Sequence, residues 1–234
     1  QHLGQAVVVE NKPGASTLIG VGAVTAAEAD GHTLLFSGST SFTVNPALRQ
    51  RLPYDPFRQL APIALVARAP LVLAASQASP HKGLKALLAD AAAHPGQLTY
   101  GTFGAGSGPH LVGEMLARAA GVKLLAVPYK GSAEATLALV RGDLSLGIDT
   151  IAATAPQLQA GKLRALAVVA EKRTPLLPNV PAYGELGLSE ALFDAWYALA
   201  APAGTPQPVL DTLLRAVTAV MKEPEVRTRL AQQS

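Results

Sequence analysis

Residues 98–111 read LTYGTFGAGSGPHL, and this stretch decides the fold class. It opens with an apolar run of strand length, 98–102, and passes through a glycine-rich turn. A helical pattern, 110–120, then begins directly after Pro109. A strand, a tight turn and a helix in this order are typical of α/β proteins, which bind ligands at the carboxyl ends of their strands.

The same alternation of strand and helix continues along the chain. Apolar runs of strand length lie at 6–10, 33–37, 62–66, 71–75, 98–102, 124–128, 144–148, 165–169 and 196–201. Helical spacing of apolar residues lies at 18–29, 84–93, 110–120, 133–140 and 209–221. Strands that are apolar on both faces belong to sheets covered by helices, so the pattern predicts an α/β fold with parallel strands.

Two short segments predict that the chain crosses between two lobes. Residues 67–70, ARAP, join two apolar runs without a helix, and residues 193–196, FDAW, precede the last one. A chain that leaves one lobe, builds a second and returns forms a two-lobed clamp, and ligand pockets favour clefts between domains. We therefore expect a first lobe of residues 1–68 plus 195–234, with the helix from Val209 packed on it, and a second lobe of residues 69–194.

Composition excludes several classes of function. Of the 234 residues, 49% are hydrophobic and 15% charged, which is typical of a globular protein. The net charge of +3 is spread along the chain and aromatic residues make up 5%, so the clustered basic and stacking residues of a nucleic-acid reader are missing. The absence of cysteine excludes thiolate zinc sites, a catalytic thiol and disulfides.

The sequence offers no pattern of catalytic residues, and it predicts neither a metal site nor a cofactor. The histidines are scattered, at His2, His32, His81, His94 and His110, and HExxH, GxSxG and P-loop motifs are absent. The glycine-rich turn is spaced GxGxG rather than GxGxxG, and the next apolar run ends without the acidic residue that binds a ribose. A dinucleotide site is therefore disfavoured.

Four turns that follow apolar runs are candidate ligand contacts. At Gly14 and Ala15, N–H groups at the start of a helix favour an anion, although a plain turn capped by Ser16 or Thr17 explains the pattern as well. The turn after 98–102 offers small residues, free N–H groups and the hydroxyls of Thr102 and Ser107. A small carboxylate fits such donors, while His110 either joins them or packs and caps locally.

The third and fourth turns lie further along the chain. Gly131 and Ser132 offer a second set of N–H groups, beside Lys130, which either adds charge or is solvated. Asp149 ends another apolar run, where it either holds an amino or hydroxyl group of the ligand or caps the segment after Thr150.

Eight motifs in order carry a resemblance that covers essentially the whole chain. They are VVVENKPGA (7–15), ADGHTLLF (29–36), NPALRQRLPYDP (45–56), HPGQLTYGTFGAGSGPHL (94–111), VPYKGSAEA (127–135), AGKLRALAV (160–168), LPNVPAYGELGL (177–188) and APAGTP (201–206). Together they resemble the Bug-type extracytoplasmic solute receptors, the binding components of tripartite tricarboxylate transporters.

The resemblance implies a two-lobed, periplasmic-binding-protein-like α/β fold that closes on a small carboxylate in a cleft between the lobes. The solute would be a dicarboxylate, an amino acid or a related acid, held by main-chain N–H groups, small hydroxyls and water. The expected partners are the membrane subunits of the transporter. The expected receptor is a periplasmic monomer that is not an enzyme and needs no cofactor. Its ligand-binding residues are expected to be Gly14, Ala15, Ser39, Thr40, Thr102, Gly106, Ser107, His110, Gly131, Ser132 and Asp149.

Two departures from the family pattern accompany the resemblance. The family has a further strand, a ligand loop and a helix upstream of the position of Gln1, and a signal peptide is likewise expected outside this sequence. Glu134 stands where the family has an uncharged residue, so we expect multiply charged anions such as citrate to be disfavoured. A ligand-sensing domain of the same fold and an α/β enzyme are the alternatives.

Overall fold

The computed structural model describes residues 2–233, which fall into two compact units. The first unit contains the chain up to Arg68 together with Trp196–Gln232, and the second contains Ala69–Ala195. The strands are β1 Leu35–Gly38, β2 Leu60–Arg68, β3 Leu71–Ser76, β4 Thr99–Thr102, β5 Leu125–Pro128, β6 Gly147–Thr150, β7 Leu163–Val168 and β8 Trp196–Pro202. The α-helices are α1 Leu18–Thr25, α2 Asn45–Leu48, α3 Pro56–Gln59, α4 Leu84–Ala93, α5 Gly108–Ala119, α6 Ser132–Arg141, α7 Ile151–Gln159, α8 Gln207–Lys222 and α9 Pro224–Gln233.

This mixture of strands and helices confirms the α/β class. The identity of the two units with the lobes of a clamp, and the ligand cleft, stay predictions.

In the first unit, β8 lies between β1 and β2 and pairs antiparallel with both. One face of this sheet packs on α1, where Val21 and Val24 meet Leu35 of β1 and Ala200 of β8. The helix α8 packs against β2, as expected for the helix from Val209. A short helix, α3, precedes β2. Asp55 caps the start of this helix by accepting the N–H groups of Phe57 and Arg58.

In the second unit, β3 is buried along its whole length and pairs antiparallel with β6 and β7. The strands β4 and β5 pair parallel, and a parallel bridge from Tyr100 to Leu146 links β4 to the residue just before β6. The helices α4 and α5 pack on this arrangement through a shared apolar core. Gly113 of α5 is required there, because a Cβ at this position would lie 2.1 Å from the ring of Tyr100.

The expectation of parallel strands is wrong for most of the pairs. Only β4 and β5 pair parallel among the named strands of residues 2–233, whereas β1, β2, β3, β6, β7 and β8 pair antiparallel. A continuous apolar run records that both faces of a strand are covered, as they are for β3, but it carries no information on the direction of the neighbouring strand.

One further expectation about elements is corrected by the structure. Residues 6–10 form no strand, and Val7, Val8 and Val9 are 71%, 87% and 81% exposed. β-branched residues favour a strand only when a neighbouring strand pairs with them, and the structure pairs none with this segment within residues 2–233. The helix α7 lies outside the predicted helical segments, and it contains Pro156, a residue that disfavours a helix interior.

The buried tyrosines of the second unit give a stability test. Tyr183 is fully buried and its hydroxyl has no hydrogen-bond partner among the described residues, whereas the Tyr100 hydroxyl donates to Glu114 over 2.6 Å. An unpaired buried hydroxyl costs free energy, so Tyr183→Phe is expected to raise the free energy of unfolding by about 1 kcal/mol. Tyr100→Phe is expected to lower it by roughly 1.5–3 kcal/mol, since it removes a bond to a charged group.

Urea unfolding of both variants and the wild type measures these changes. Equal losses in the two variants would contradict the assignment, because they would show that the Tyr183 hydroxyl is also hydrogen-bonded in the folded protein.

Candidate functional site

Three turns of the second unit lie side by side at the carboxyl ends of β4, β5 and β6. The parallel register pairs Thr102 with Pro128, and the N–H of Tyr129 donates to the carbonyl of Thr102 over 2.8 Å. The third turn is linked to the second by a bond from Ser132 to Asp149. The fold therefore brings together the candidates of this unit: Thr102, Gly106, Ser107, His110, Gly131, Ser132 and Asp149.

The turn between β4 and α5 is held by its own hydrogen bonds. Gly104 and Gly106 have φ of +99° and +79°, values that other residues rarely adopt. The Ser107 hydroxyl accepts the N–H of Phe103 over 3.2 Å, and the Ser107 N–H donates to the Gly104 carbonyl over 3.1 Å. Thr102 and Ser107 are both buried, so the Ser107 hydroxyl shapes the turn rather than standing free at its surface.

The start of α5 supplies donors. The first intrahelical bond of this helix joins the N–H of Leu111 to the Ser107 carbonyl. The N–H groups of Gly108 and His110 therefore have no acceptor within the helix, and Pro109 has no N–H. The His110 ring accepts the N–H of Gly106 at Nδ1 over 3.4 Å, which is the local capping role that the sequence left open.

The turn between β5 and α6 contains a glycine that the chain itself does not require. Gly131 is extended, with φ of 175°, and a Cβ built on it meets nothing within 4 Å. Gly131 precedes the N–H groups of Ser132 and Ala133, which have no intrahelical acceptor. The exposed Glu134 accepts the N–H of Lys130 over 3.2 Å, so its carboxylate caps the turn locally.

Asp149 is a buried carboxylate whose two oxygens are both engaged. Ser132 donates to Oδ2 over 2.5 Å, and the N–H of Thr150 donates to Oδ1 over 2.7 Å. Burial raises the pKa of Asp149 above its ordinary value, and these two hydrogen bonds oppose the rise. The helix α7 is capped by Thr150, which accepts the N–H of Ala153, so capping of α7 falls to the neighbour of Asp149.

In the first unit, the turn before α1 holds a strained backbone. Gly14 has φ of +119°, and Ala15, Ser16 and Thr17 follow with φ of +49°, +54° and +76°. A left-handed conformation costs about 1–2 kcal/mol at each residue other than glycine. Strain of this size persists only where neighbouring groups hold it in place.

A polar network that the sequence did not reveal holds this turn. Buried Asn45 donates to the Ser16 carbonyl over 2.8 Å, and Ser41 donates to the Thr17 hydroxyl over 2.7 Å. The Tyr54 hydroxyl donates to the Ser41 carbonyl over 2.7 Å. The motif at 45–56 contains both Asn45 and Tyr54, but nothing in it identifies their partners in the turn.

Ser39 and Thr40 lie in the same part of the first unit as this network. Ser39 is buried and precedes a π-helical turn, Thr40–Val44, and its carbonyl accepts the Thr43 hydroxyl over 3.0 Å. Ser41 of that turn reaches Thr17, so the structure places Gly14, Ala15, Ser39 and Thr40 around one hydrogen-bonded cluster. Their contact with a ligand stays a prediction.

Within residues 2–233, the structure has no helix that is both long enough and apolar enough to span a bilayer.

Comparisons with known proteins identify the family of this chain. The model of the tripartite tricarboxylate transporter family receptor matches residues 1–234. Protein BugT of Bordetella pertussis is 34% identical over 232 residues, which cover 99% of this chain and 71% of BugT.

Two solved structures are similar over 99% of this chain. The periplasmic binding protein BugD has a TM-score of 0.93 at 35% identity, with 77% of its chain covered. MatC from Rhodopseudomonas palustris, with bound malate, has a TM-score of 0.93 at 33% identity, with 79% covered.

The family match over the whole chain, and structural similarity to periplasmic binding proteins at TM-scores of 0.93, settle the class of this molecule. The chain belongs to the tripartite tricarboxylate transporter receptor family, and it is a periplasmic-type solute-binding receptor.

Proposed function

We propose that this receptor captures a small carboxylate at the turns that follow β4 and β5, and delivers it unchanged to the membrane subunits of its transporter. The N–H groups of Gly108 and His110 at the start of α5, and of Ser132 and Ala133 at the start of α6, would face the carboxylate. Helix N-termini favour negative charge, and each charge-assisted hydrogen bond contributes about 1.5–3 kcal/mol.

Gly131 is the observation that carries this proposal. Its extended φ and the empty space around a built Cβ mean that neither the backbone nor internal packing requires glycine. Gly83 shares these features, but the turn at Gly131 also lies beside a second helix start, that of α5, through the parallel pairing of β4 with β5. At such a place a glycine leaves the main chain open to the close approach of a ligand. MatC, whose structure holds malate, supports a dicarboxylate or a related acid as the class of solute.

The groups at these turns support binding rather than catalysis. Main-chain N–H groups complement a fixed negative charge but do not transfer protons at neutral pH. The His110 ring accepts a backbone N–H at Nδ1, and both oxygens of Asp149 accept hydrogen bonds. We propose a monomeric receptor that is exported to the periplasm and binds its solute without turnover.

Calorimetric titration with small carboxylates such as malate tests the proposal, with two matched glycine variants. Gly131→Ala is expected to weaken binding about tenfold or more, because the new methyl group occupies the path of the ligand to the main chain. Gly83→Ala is the control, since Gly83 precedes α4 with the same extended backbone and open surroundings. It is expected to leave the affinity unchanged.

The carboxylate recovered after long incubation is expected to be chemically unaltered by NMR. Equal affinities of the wild type and Gly131→Ala would remove this turn from the site. Chemical conversion of the acid would contradict the proposed receptor function and would show that the protein is an enzyme.

Asp149 is expected to give the stability of the folded protein a measurable pH dependence. Because burial raises the folded-state pKa of Asp149, the folded protein binds more protons than the unfolded chain between the two pKa values. The contribution of Asp149 to stability therefore falls as the pH rises through this interval. The free-energy cost of burying the ionised Asp149 carboxylate is present in full above the folded-state pKa, and it is absent below the ordinary pKa.

Asp149→Asn removes this titration, so urea unfolding of both proteins from about pH 3.5 to about pH 7 isolates it. The wild type is expected to lose stability relative to Asp149→Asn as the pH rises. A difference that runs in the opposite direction would show that the hydrogen bonds of Asp149 outweigh its burial.

A further inference from the structure

The single hydroxyl proton of Ser132 is used inside the protein. Ser132 donates it to Oδ2 of Asp149 over 2.5 Å, while the Thr150 N–H occupies Oδ1 over 2.7 Å. An ionised carboxylate accepts hydrogen bonds but donates none, so the direction of the Ser132 bond is fixed whenever Asp149 is charged.

The remaining capacity of the Ser132 hydroxyl is that of an acceptor. Ser132 is the first residue of α6 and is partly exposed, while Asp149 is 8% exposed. The hydroxyl oxygen keeps lone pairs for an outside group, but it has no proton left to give. The turn therefore presents main-chain N–H donors directly beside one side-chain acceptor.

We propose that Ser132, fixed as an acceptor by Asp149, makes the receptor prefer carboxylates that carry a hydroxyl or ammonium group on the neighbouring carbon. This inference rests on the proposed function, since it needs the carboxylate to lie at the start of α6. The carboxylate receives the N–H groups, and the neighbouring O–H or N–H donates to Ser132. Asp149 is a positioning residue that acts through Ser132, because its own two oxygens are engaged.

Acids that lack the donor leave Ser132 facing them without a hydrogen bond. A site that hydrogen-bonds a hydroxyl rejects the analogue without it, most strongly where water cannot replace the missing group. Because Ser132 is partly exposed, we expect a preference of about tenfold rather than the much larger factors of sealed sites.

Matched pairs of acids measure this preference by calorimetry on the full chain: malate with succinate, and lactate with propionate. The wild type is expected to bind the hydroxy acid of a pair about tenfold more tightly. Ser132→Ala is expected to reduce the ratio to about two or less, because the hydroxy acid loses its acceptor. Ser132→Thr retains a hydroxyl and is expected to restore the ratio.

Asp149→Asn reverses the direction of the hydrogen bond between residue 149 and Ser132, while the shape of the side chain stays nearly the same. The Thr150 N–H requires an acceptor, so the asparagine oxygen faces Thr150 and its NH2 group donates to Ser132. The Ser132 proton is then free for the ligand, and the preference for the hydroxy acid is expected to disappear. Ser189→Ala is the control, since the exposed Ser189 also donates to a carboxylate, that of Glu171, and its loss is expected to leave the ratio unchanged.

A purely structural role of Ser132 or Asp149 would weaken both acids of a pair alike, so an unchanged ratio in Ser132→Ala would overturn the inference. Succinate binding to the wild type as tightly as malate would overturn it too, while leaving the proposed function intact. If none of the four acids binds the wild type, the proposed function fails, and this inference fails with it.

Discussion

The parallel pairing of β4 with β5 is the constraint on which the candidate site depends. Because the two strands run in the same direction, the helices that follow them begin at the same edge of the sheet. The bond from the Tyr129 N–H to the Thr102 carbonyl extends the pairing one step past the strands. The donors at the starts of α5 and α6 are thereby fixed next to one another before any solute arrives.

The first unit also contains a turn that is fixed by the folded chain, although side-chain hydrogen bonds rather than strand pairing hold it. Its turn at Gly14–Thr17 adopts left-handed backbone at three residues that are not glycine, and Asn45 and Ser41 hold it there. Ordering a loop costs free energy when it happens on binding, so a loop that is already held binds more tightly than a mobile one. The buried amide of Asn45 holds the turn in one conformation, which would favour binding if Gly14 and Ala15 contact the solute as predicted.

The class of the fold and the location of the turns could be predicted from the sequence, because both depend on local patterns. Apolar runs predicted β3 and β8 closely, and Pro109 marked the start of α5. Strand direction was not accessible, because β3 is equally apolar whether its neighbours run parallel or antiparallel. The partners of Asn45 were also hidden, since Ser16 is 29 positions away in the chain. For Asp149, the sequence indicated a polar role, but only the structure shows that Ser132 uses one of its oxygens.

We propose that main-chain N–H groups at two helix starts hold the carboxylate, and an NMR titration of the 15N-labelled protein with malate observes these groups directly. We expect the amide signals of Gly108, His110, Ser132 and Ala133 to move together with one saturation curve, since hydrogen bonding to a carboxylate changes the environment of each N–H. Saturable binding of malate with these four signals unmoved would contradict it.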